Sequence, residues 1–350
     1  MNQKQRIDIL VQTHNLSNVE LVKLFKERSL EMDAYLFHCA RSQKEQIFGN
    51  TIYLRGLIEF SSYCTKDCLY CGLRKSNSHA ERYHLTEQQI LSCINHGYSL
   101  GYRTFVLQSG EDRSYSDEQI CNIVQTIKAR YPDSAVTLSI GEKTYEQYRM
   151  YRESGCNRYL LRHETANSDL YQKLHSKEQS LFSRMDCLRS LKTLGYQTGA
   201  GMMIQPPFQT FENLIEDIRY MQKWNPEMIG IGPFIAQKDT PFADYPNGTV
   251  DLTVFMIAVL RLFFPKALIP STTALGTLDV KGREKGILAG ANVIMPNLTP
   301  KQFREKYMIY DGKAKIHDQA DQYLKDLKNN LALIGANISM ERGDYPDFLS

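Results

Sequence analysis

Three cysteines within eight residues form the strongest chemical signal in this chain. Cys64, Cys68 and Cys71 have the spacing Cys-x3-Cys-x2-Cys. Three thiolates on one short loop can hold three corners of a cubic iron–sulfur cluster, which normally takes four cysteine ligands. Because no fourth cysteine is near, one iron would lack a protein ligand. That iron could bind a small chelating molecule, and the amino and carboxylate groups of a methionine are a suitable pair.

Other interpretations of this motif remain open at the level of the residues. A tetrahedral zinc site would need a fourth ligand, for which His79 and His84 are candidates. An electron-transfer cluster would normally need a fourth cysteine, and chance clustering is a third alternative. The remaining cysteines are interpreted as small buried hydrophobic side chains, and no disulfide framework is expected in a reducing cytoplasm. They are Cys39, Cys93, Cys121, Cys156 and Cys187.

From residue 50 onward, short apolar runs alternate with longer amphipathic stretches, which predicts an α/β fold. Eight strand-plus-helix units over about 250 residues favour a (β/α)8 barrel of the TIM type. A doubly wound open sheet is the rival, since periodicity does not separate the two. The predicted strands are residues 51–59, 104–108, 135–139, 158–162, 197–204, 228–232, 267–270 and 292–295. The predicted helices are residues 87–100, 116–130, 145–154, 180–194, 210–224, 252–264, 277–289 and 300–307.

The barrel is expected to occupy residues 50–310, with helical extensions over residues 1–49 and 311–350. Helical spacing of apolar residues predicts helices at 18–29 and 31–46, and a last helix from about Ile316 to Ile334. Ser17 is a candidate N-cap, and Glu20 would complete a capping box by reaching back to the Ser17 backbone N–H. In such a barrel the chemistry lies at the carboxyl ends of the strands. Polar residues do follow most of the apolar runs, among them the segments 109–112, 141–142, 163–165 and 271–273.

Composition excludes several classes of protein. The chain has 42 Lys plus Arg and 39 Asp plus Glu, a net charge of +3, which gives no reason to propose a nucleic-acid partner. The longest strongly apolar stretch is too short to cross a bilayer and is interrupted by Arg261. No signal-peptide pattern is present at the start. We therefore expect a cytoplasmic protein with no membrane partner.

The cysteine loop, with Tyr70 just before its last cysteine, resembles the signature of the radical S-adenosylmethionine (SAM) enzymes. Further stretches resemble a narrower family, the HydE maturases of [FeFe]-hydrogenase. These are residues 63–74, 106–112, 137–142, 158–167, 199–201, 230–234, 270–274 and 290–300. The blocks follow in the family's order across most of the predicted barrel, and together they are far more specific than the cysteine motif.

This resemblance implies a [4Fe–4S] cluster on the three cysteines and SAM as cofactor. An electron from the cluster would cleave SAM to a 5′-deoxyadenosyl radical. The residues implied in cofactor binding are Tyr70, Ser109, Gly110, Glu111, Glu164, Arg184, Gly232, Pro233 and Phe234. Arg184 would pair with the SAM carboxylate in bidentate fashion. The alternatives are a solvated helix position for Arg184 and a structural ion pair for Glu164.

The same resemblance implies a cavity that binds an anionic small-molecule or organometallic substrate, such as a carboxylate- or cyanide-bearing iron complex. Its implied lining residues are Gln108, Arg162, Thr272, Thr273, Met295 and Tyr307. Ordinary loop hydrogen bonding is the alternative for the two threonines. The implied partners are a reductant protein such as a ferredoxin or flavodoxin and possible sister maturases.

Three rival functions remain. One is an amino-acid carbon-skeleton isomerase like methylornithine synthase, and another is a sulfur insertion like that of biotin synthase, for which the second cysteine set is missing. The third is a non-enzymatic iron–sulfur or zinc scaffold. The chain departs from its relatives in three places. No cysteine follows Cys187, Leu298 stands where many have Trp, and residues 205–210 read Gln-Pro-Pro-Phe-Gln-Thr instead of Gly-Leu-Pro-Gly-Gln-Thr.

Overall fold

A central parallel sheet carries the fold. The computed structural model describes residues 1–313 and 320–348, and in this part of the chain six strands pair in the order β2-β3-β4-β5-β6-β8. The division of the chain at residues 49 and 310 stays a prediction. The strands are β1 (Thr51–Leu54), β2 (Gly56–Ser61), β3 (Thr104–Ser109), β4 (Ala135–Ser139), β5 (Arg158–Leu160), β6 (Gln197–Ala200), β7 (Met203–Ile204), β8 (Met228–Ile229), β9 (Gly232–Pro233), β10 (Val293–Ile294) and β11 (Asn337–Ser339).

The sheet closes into a barrel through short parallel bridges. Leu268 bridges Met228 on β8, and Pro270 bridges Val293 on β10. Strand β10 pairs in parallel with β1, which leads directly into β2. The predicted run at 267–270 is thus the seventh barrel strand, although it contributes only these bridges. The (β/α)8 barrel is confirmed, and the open doubly wound sheet is excluded.

Helices surround the barrel and begin at side-chain caps. In α4, α5, α6 and α9 the N-cap residue and the residue three places on exchange hydrogen bonds with each other's backbone, which fixes each helix start. The helices are α1 (Gln3–Thr13), α2 (Asn18–Lys26), α3 (Leu30–Phe48), α4 (Glu87–Ser99), α5 (Asp117–Arg130), α6 (Tyr145–Glu153), α7 (Ser168–Leu174), α8 (Leu181–Thr193), α9 (Phe211–Trp224), α10 (Val250–Phe263), α11 (Thr273–Leu278), α12 (Gly282–Leu288), α13 (Lys301–Arg304) and α14 (Ala320–Leu333).

The N-terminal helices cover one side of the barrel. Helix α10 is buried on all sides over Leu252–Phe263, because α3 packs on its outer face. An apolar helix needs such a cover. Helix α1 was not predicted, and the capping box at Ser17 is only half correct. The Ser17 hydroxyl accepts from the Glu20 N–H, but the Glu20 carboxylate pairs with Arg6 and Lys23 instead of the Ser17 backbone.

The C-terminal extension is not purely helical. Its predicted start near Ile316 lies outside the described residues, and α14 begins at Ala320. After α14 the chain forms β11, which pairs in parallel with β1. The following residues lie under the barrel, where Asp344 Oδ1 is 2.7 Å from the fully buried Arg158 Nη2. Gln197 Nε2 also donates to Asp344, at 2.6 Å. Since Arg158 and Gln197 begin β5 and β6, this segment closes the amino end of the barrel.

Two predicted helices differ from the structure. The stretch 277–289 is divided into α11 and α12, with Asp279 ending the first helix, and α13 is a single turn. None of the helices in the described part of the chain has both the length and the apolar character to span a bilayer.

Candidate functional site

The three cysteines lie on the loop after β2, which we name the cluster loop (residues 62–76). Two side chains hold its shape. The Arg82 guanidinium donates to the carbonyls of Ser62 at 2.6 Å and Arg74 at 2.8 Å, tying the ends of the loop together. Inside the loop, Arg74 and the Asp67 carboxylate form two parallel hydrogen bonds of 2.8 Å. The backbone of the loop is therefore fixed by its own polar side chains.

Cys64 touches the segment 109–111 at the end of β3. The Glu111 N–H donates to Cys64 Sγ at 3.4 Å, and the Thr65 N–H donates to the Glu111 carbonyl at 3.0 Å. A Cβ on Gly110 would lie 2.2 Å from the Tyr63 carbonyl oxygen and 2.7 Å from Cys64 Cβ. Only glycine allows this approach, so Gly110 is required where the strand end meets the cluster loop.

Cys68 and Tyr70 contact the loop between α7 and α8. Gln179 Nε2 lies 3.3 Å from Cys68 Sγ. The Tyr70 hydroxyl lies 3.3 Å from His175 Nε2, and His175 Nδ1 lies 2.9 Å from the Tyr171 carbonyl. Because a carbonyl only accepts, Nδ1 carries the proton and Nε2 accepts from Tyr70. Burial lowers the pKa of His175 to about 3, which keeps this ring neutral.

The donor set fits an iron–sulfur cluster. All three cysteines are free thiols and half-buried. Burial raises the pKa of the Cys68 thiol to about 11 and that of Cys71 further, so the metal-free protein holds them protonated. Metal binding must displace these protons, and the positive charge of iron compensates for burying thiolates. Three thiols on a loop fixed by Asp67 and Arg82 match three corners of such a cluster.

The zinc alternative needs His79 or His84 to lie close to the cysteines. His79 Nδ1 pairs with Asp239 at 2.8 Å, and His84 Nδ1 pairs with Asp112 at 2.9 Å. The His84 ring also stacks on Tyr63 with centroids 4.2 Å apart. Across residues 1–313 and 320–348, no three His, Cys, Asp or Glu side chains converge closely enough to hold a single metal ion. A cubic cluster needs no such convergence, because each cysteine binds a different iron.

Arg184 joins a buried network of charges beside the cluster loop. Its Nε donates to Glu142 Oε1 at 2.6 Å, its Nη1 donates to the Arg162 carbonyl at 3.0 Å, and its Nη2 lies 3.9 Å from Glu111 Oε1. Lys66 pairs with Glu142 at 2.8 Å and lies 3.5 Å from Glu111. Two cations thus neutralise two carboxylates. The solvated position considered for Arg184 is wrong, since it is buried.

The pKa values of the two carboxylates in this network are shifted in opposite directions. Burial raises the pKa of Glu111 above its usual value. Burial acts the same way on Glu142, but Arg184 and Lys66 outweigh it and lower that pKa. Gly141 has φ +81°, and a Cβ there would lie 2.0 Å from Glu111 Cγ. The glycine therefore lets the Glu111 side chain reach the Glu142 N–H, to which its Oε1 is bonded at 3.0 Å.

Glu164 lies at the end of β5 in a left-handed conformation with φ 65°. Its backbone is held on both sides, since its N–H donates to Gly201 and its carbonyl accepts from Met203. Its Oε2 lies 2.8 Å from Arg162 Nη2, at an angle that makes an ion pair rather than a hydrogen bond. Arg162 Nε and Glu164 Oε2 are both buried without a hydrogen-bond partner among the described residues. Such strained, underused polar groups are typical of ligand sites.

The segment 232–234 forms an apolar wall. Gly232 and Pro233 pair with β7, and Phe234 is buried with Leu170, Leu174, Met203 and Phe242, next to the partly buried Tyr70. Thr272 lies against Gly232, and its buried Oγ1 has no partner in the described part of the chain. Thr273 begins α11, and its carbonyl accepts from the Thr277 hydroxyl at 3.1 Å.

Of the predicted substrate residues, Gln108 and Tyr307 are brought together. Gln108 Nε2 donates to the Tyr307 hydroxyl at 3.4 Å. Arg162 instead faces Glu164. Met295 packs against a separate apolar cluster of Phe48, Met228, Leu268 and Val293, so no described contact joins it to the other predicted lining residues.

A buried ion pair next to Tyr307 was not among the predictions from the sequence. Lys313 Nζ contacts Glu59 Oε1 and donates to the Tyr307 carbonyl at 2.9 Å. The second Glu59 oxygen accepts from Asn297 Nδ2 at 2.8 Å. Glu59 lay inside a predicted apolar strand, and a carboxylate there was the available signal. Lys313 follows the last predicted barrel helix, and nothing local marks it.

Lys66, Glu142 and Gln179 are further residues of the site that sequence reasoning left without a role. Glu142 follows a predicted strand, so its strand-end position was a usable signal. Lys66 lies between two of the cysteines. Gln179 belongs to a loop between two helices, and only the fold brings it to Cys68.

The departure at residues 205–210 has a backbone consequence. Gln205 has φ 57° and Phe208 has φ 71°, and these are the two positions where relatives have glycine. A side chain in this region costs roughly 1–2 kcal/mol. Gln205 compensates, because its Oε1 accepts from the backbone N–H and hydroxyl of Thr249 at 2.7 and 2.8 Å. Thr249 is the N-cap of α10, so the glutamine that stands in place of the glycine stabilises the start of that helix.

Comparison with known proteins shows which family the chain belongs to. The radical SAM superfamily model matches residues 58–221, which include the cluster loop and Arg184. The [FeFe] hydrogenase maturase subunit HydE of Thermotoga maritima is 42% identical over 86% of this chain and 85% of that protein. The 3-methylornithine synthase of Methanosarcina barkeri is 28% identical over 94% and 92%. A crystal structure of methylornithine synthase has a TM-score of 0.83 at 26% identity, covering 95% of this chain and 97% of that one.

Members of this superfamily use a [4Fe–4S] cluster and SAM, and the thiols of the cluster loop fit that cluster. The identity to HydE extends over nearly the whole chain, well beyond the segment that the superfamily model matches. The chain therefore belongs to the HydE family and is a radical SAM enzyme with a [4Fe–4S] cluster and SAM as its cofactors.

Proposed function

We propose that this chain is a maturase that acts in assembly of the [FeFe]-hydrogenase active site. The observation that carries this proposal is the 42% identity to a HydE protein over 86% of the chain, compared with 28% to methylornithine synthase. Both relatives share the fold and the cofactors, so the fold alone does not choose between them. The closeness of the sequence does.

Cys64, Cys68 and Cys71 would hold the cluster, which when bound supplies the electron for reductive cleavage of SAM. The contacts of the surrounding residues support their roles. The strand end at Ser109, Gly110 and Glu111 touches Cys64 and would bind the methionine amino group of SAM. Arg184 is held in place by Glu142 and would pair with the SAM carboxylate. Its guanidinium is buried, which strengthens such a pair.

Other residues would hold the remaining parts of SAM. Glu164, whose buried Oε2 lacks a hydrogen bond among the described residues, would accept from SAM hydroxyl or amino groups. The wall formed by Gly232, Pro233 and Phe234, next to Tyr70, would contact the adenine. An apolar wall excludes water from the reacting bond.

The substrate would be an anionic small molecule or organometallic complex. Arg162 supports this proposal, since its buried Nε has no partner within the described residues. Thr272 supports it in the same way, since its buried hydroxyl oxygen has no hydrogen-bond partner in residues 1–313 and 320–348. Gln108, Thr273, Met295 and Tyr307 would complete the cavity. An Arg beside hydroxyl groups binds anions well.

The reductant would be a ferredoxin or flavodoxin, and sister maturases would supply or receive the substrate. The cytoplasm is the proposed location, because three free, half-buried thiols on one loop persist where disulfides are rare. The runner-up function is an amino-acid isomerase, which the likeness in shape to methylornithine synthase favours.

The test is anaerobic reconstitution followed by incubation with SAM and dithionite. About four irons per chain and release of 5′-deoxyadenosine are expected. The protein is then added to a hydrogenase maturation mixture that lacks a HydE protein, and separately to an amino-acid mixture. Activation of the hydrogenase is the expected result. Formation of 3-methylornithine without activation would overturn the maturase proposal in favour of the isomerase.

A further inference from the structure

The segment 174–179 runs along the cluster loop and is fixed against it at two points. The Leu69 N–H donates to the Leu174 carbonyl at 2.9 Å, and the Tyr70 hydroxyl donates to His175 Nε2 at 3.3 Å. These contacts flank Cys68 on one side. They set the position of the segment, so that its last residue, Gln179, reaches the Cys68 sulfur.

The orientation of the Gln179 amide follows from its surroundings. The Ser176 backbone N–H lies 3.4 Å from Gln179 Oε1, and the Ser176 hydroxyl lies 3.3 Å from it. A backbone N–H can only donate, so it selects the oxygen of the amide. The nitrogen must then face the other way, where Nε2 lies 3.3 Å from Cys68 Sγ. Oε1 lies farther from the sulfur, at 3.7 Å, where a protonated thiol can donate to it. A cluster-bound thiolate has no proton to donate, so it would accept from Nε2.

This amide acts in a buried setting. Gln179 is 8% exposed, and burial also dominates the environment of the Cys68 thiol. An oriented dipole is worth more in such surroundings than in water. Hydrogen bonds to cluster sulfurs are among the factors that set the reduction potential of an iron–sulfur cluster.

We propose that Gln179 raises the reduction potential of the cluster by donating its amide N–H to the Cys68 sulfur. Adding one electron to the cluster increases the negative charge on its thiolate ligands, and a donor stabilises the reduced form more than the oxidised form. Gln179 is thus a positioning residue that acts through Cys68. The inference rests on the proposed cluster at the three cysteines.

Two substitutions at position 179 distinguish a side chain that donates a hydrogen bond to Cys68 from one that only fills space. Gln179 lines a cavity of about 1030 Å³ together with Lys66, Asp67 and Ser183. Leucine at position 179 would fill the space and supply no donor. Alanine would admit water from the cavity, and water can donate to the sulfur in place of the amide. If Gln179 acts as a donor, the reduction potential should therefore fall more in the Leu variant than in the Ala variant. If it acts by packing, the order should be the reverse.

The experiment is a redox titration of the reconstituted full chain, followed by electron paramagnetic resonance, with iron counted in every sample. For Gln179→Leu we expect the ratio of reduced to oxidised cluster at a fixed potential to fall about tenfold, which is about 59 mV for one electron. The reduction potential of Gln179→Ala should lie between those of Gln179→Leu and the unaltered chain. Ser176→Ala, which loses one donor to Oε1, should give a small decrease. Ser183→Ala changes another side chain of the same cavity and should match the unaltered chain.

An unchanged potential in Gln179→Leu would overturn the proposal, and so would a larger decrease in Gln179→Ala than in Gln179→Leu. If Gln179→Leu does not retain its iron, Ser176→Ala decides, because it does not touch Cys68. An unaltered chain that forms no cluster would instead overturn the proposed function, so the two failures are distinguishable.

Discussion

The two ends of the barrel solve the same problem in different ways. Each buries an arginine and must neutralise it. At the carboxyl end, Arg184 takes Glu142 from a neighbouring strand end. At the amino end, Arg158 takes Asp344 from a segment that follows α14. The first pair lies where a cofactor is expected, whereas the second is closed off by protein. Unpartnered polar atoms do not distinguish the two ends, because Arg158 Nε, like Arg162 Nε, has no hydrogen-bond partner among the described residues. The difference is that Glu142 lines a cavity, so the comparison teaches that a buried ion pair marks a ligand site where it borders such a cavity.

The largest expected effect separates the ends by function. Cys68→Ala should abolish the visible absorbance of the cluster and all release of 5′-deoxyadenosine from SAM, because one of three iron ligands is lost. The fold should persist, since the amino end is untouched, and circular dichroism checks this. Cys39→Ala, on α3 and away from the cluster loop, is the matched control and should keep both signals. Product formation by Cys68→Ala would contradict the cluster assignment.

The next effect concerns stability at the amino end. Asp344→Asn leaves Arg158 buried without its charge partner, and breaking a buried pair costs about 3 kcal/mol. The loss is measured by urea unfolding of the metal-free chain. Asp347→Asn removes a carboxylate from an exposed pair with Lys266 and should leave the unfolding midpoint unchanged. SAM cleavage per folded Asp344→Asn molecule should remain normal. A loss of that activity would contradict the assignment of stability to the amino end and chemistry to the carboxyl end.

Acidification should sharpen the same contrast. Burial raises the pKa of Asp344, but Arg158 and Gln197 outweigh it and hold that pKa below its usual value of 3.8. The stabilisation from Asp344 is therefore present above about pH 4 and is lost as pH falls through the lowered pKa. Glu111 behaves in the opposite way, because its raised pKa makes the folded chain bind its proton first. Glu111→Gln should therefore stabilise the metal-free chain near neutral pH, while Asp344→Asn destabilises it. This prediction would be contradicted if both variants changed the free energy of unfolding in the same direction, as measured with urea at pH 7.

Arg184→Ala tests the carboxyl end by binding. Loss of one charge-assisted pair is worth about 1.5–3 kcal/mol, so the Kd for SAM should rise about tenfold to a hundredfold. Isothermal titration calorimetry of the reconstituted protein measures it. Arg189→Ala, on the same helix and exposed in a pair with Asp186, should bind SAM normally. An unchanged affinity in Arg184→Ala would make Arg184 structural, like Arg158.

The smallest effect separates strain from contact at Gln205. Gln205→Ala keeps the left-handed backbone and loses the hydrogen bonds to Thr249. Gln205→Gly loses the same bonds but removes a strain of roughly 1–2 kcal/mol, partly offset by the greater freedom of an unfolded glycine. The Gly variant should therefore be more stable than the Ala variant by up to about 1 kcal/mol in urea unfolding. The reverse order would show that position 205 is not strained.

Local pattern was enough to predict the parts of the fold that repeat. The apolar runs and capped helices mark the barrel, and its geometry places Gly110 and Glu164 beyond the carboxyl ends of their strands. Strand β11 could not be foreseen, because three half-exposed residues pair with β1 only once the barrel exists. The same holds for the site. The cysteines carry a local signal in their spacing, and Arg184 was named only through the family resemblance. Gln179, Lys313 and Asp344 are far along the chain from their partners, and no spacing rule specifies those contacts.

The glycine departures were visible in the sequence, but their meaning was not. The loss of two glycines could have reshaped the barrel mouth. Instead the backbone keeps the left-handed conformation at Gln205 and Phe208, and the side chain of Gln205 supplies new hydrogen bonds. Only φ angles and the contact with Thr249 distinguish these outcomes.

The pairing of Arg158 with Asp344 also has a consequence during synthesis of the chain. The two residues are 186 positions apart, so the ribosome releases β5 long before the carboxylate that neutralises it. Until then the amino end of the nascent barrel holds an unpaired cation and an uncovered β1 edge. The cover of the amino end therefore forms only after β11 and Asp344 have been synthesised, so the charge of Arg158 is neutralised much later than its own strand is made.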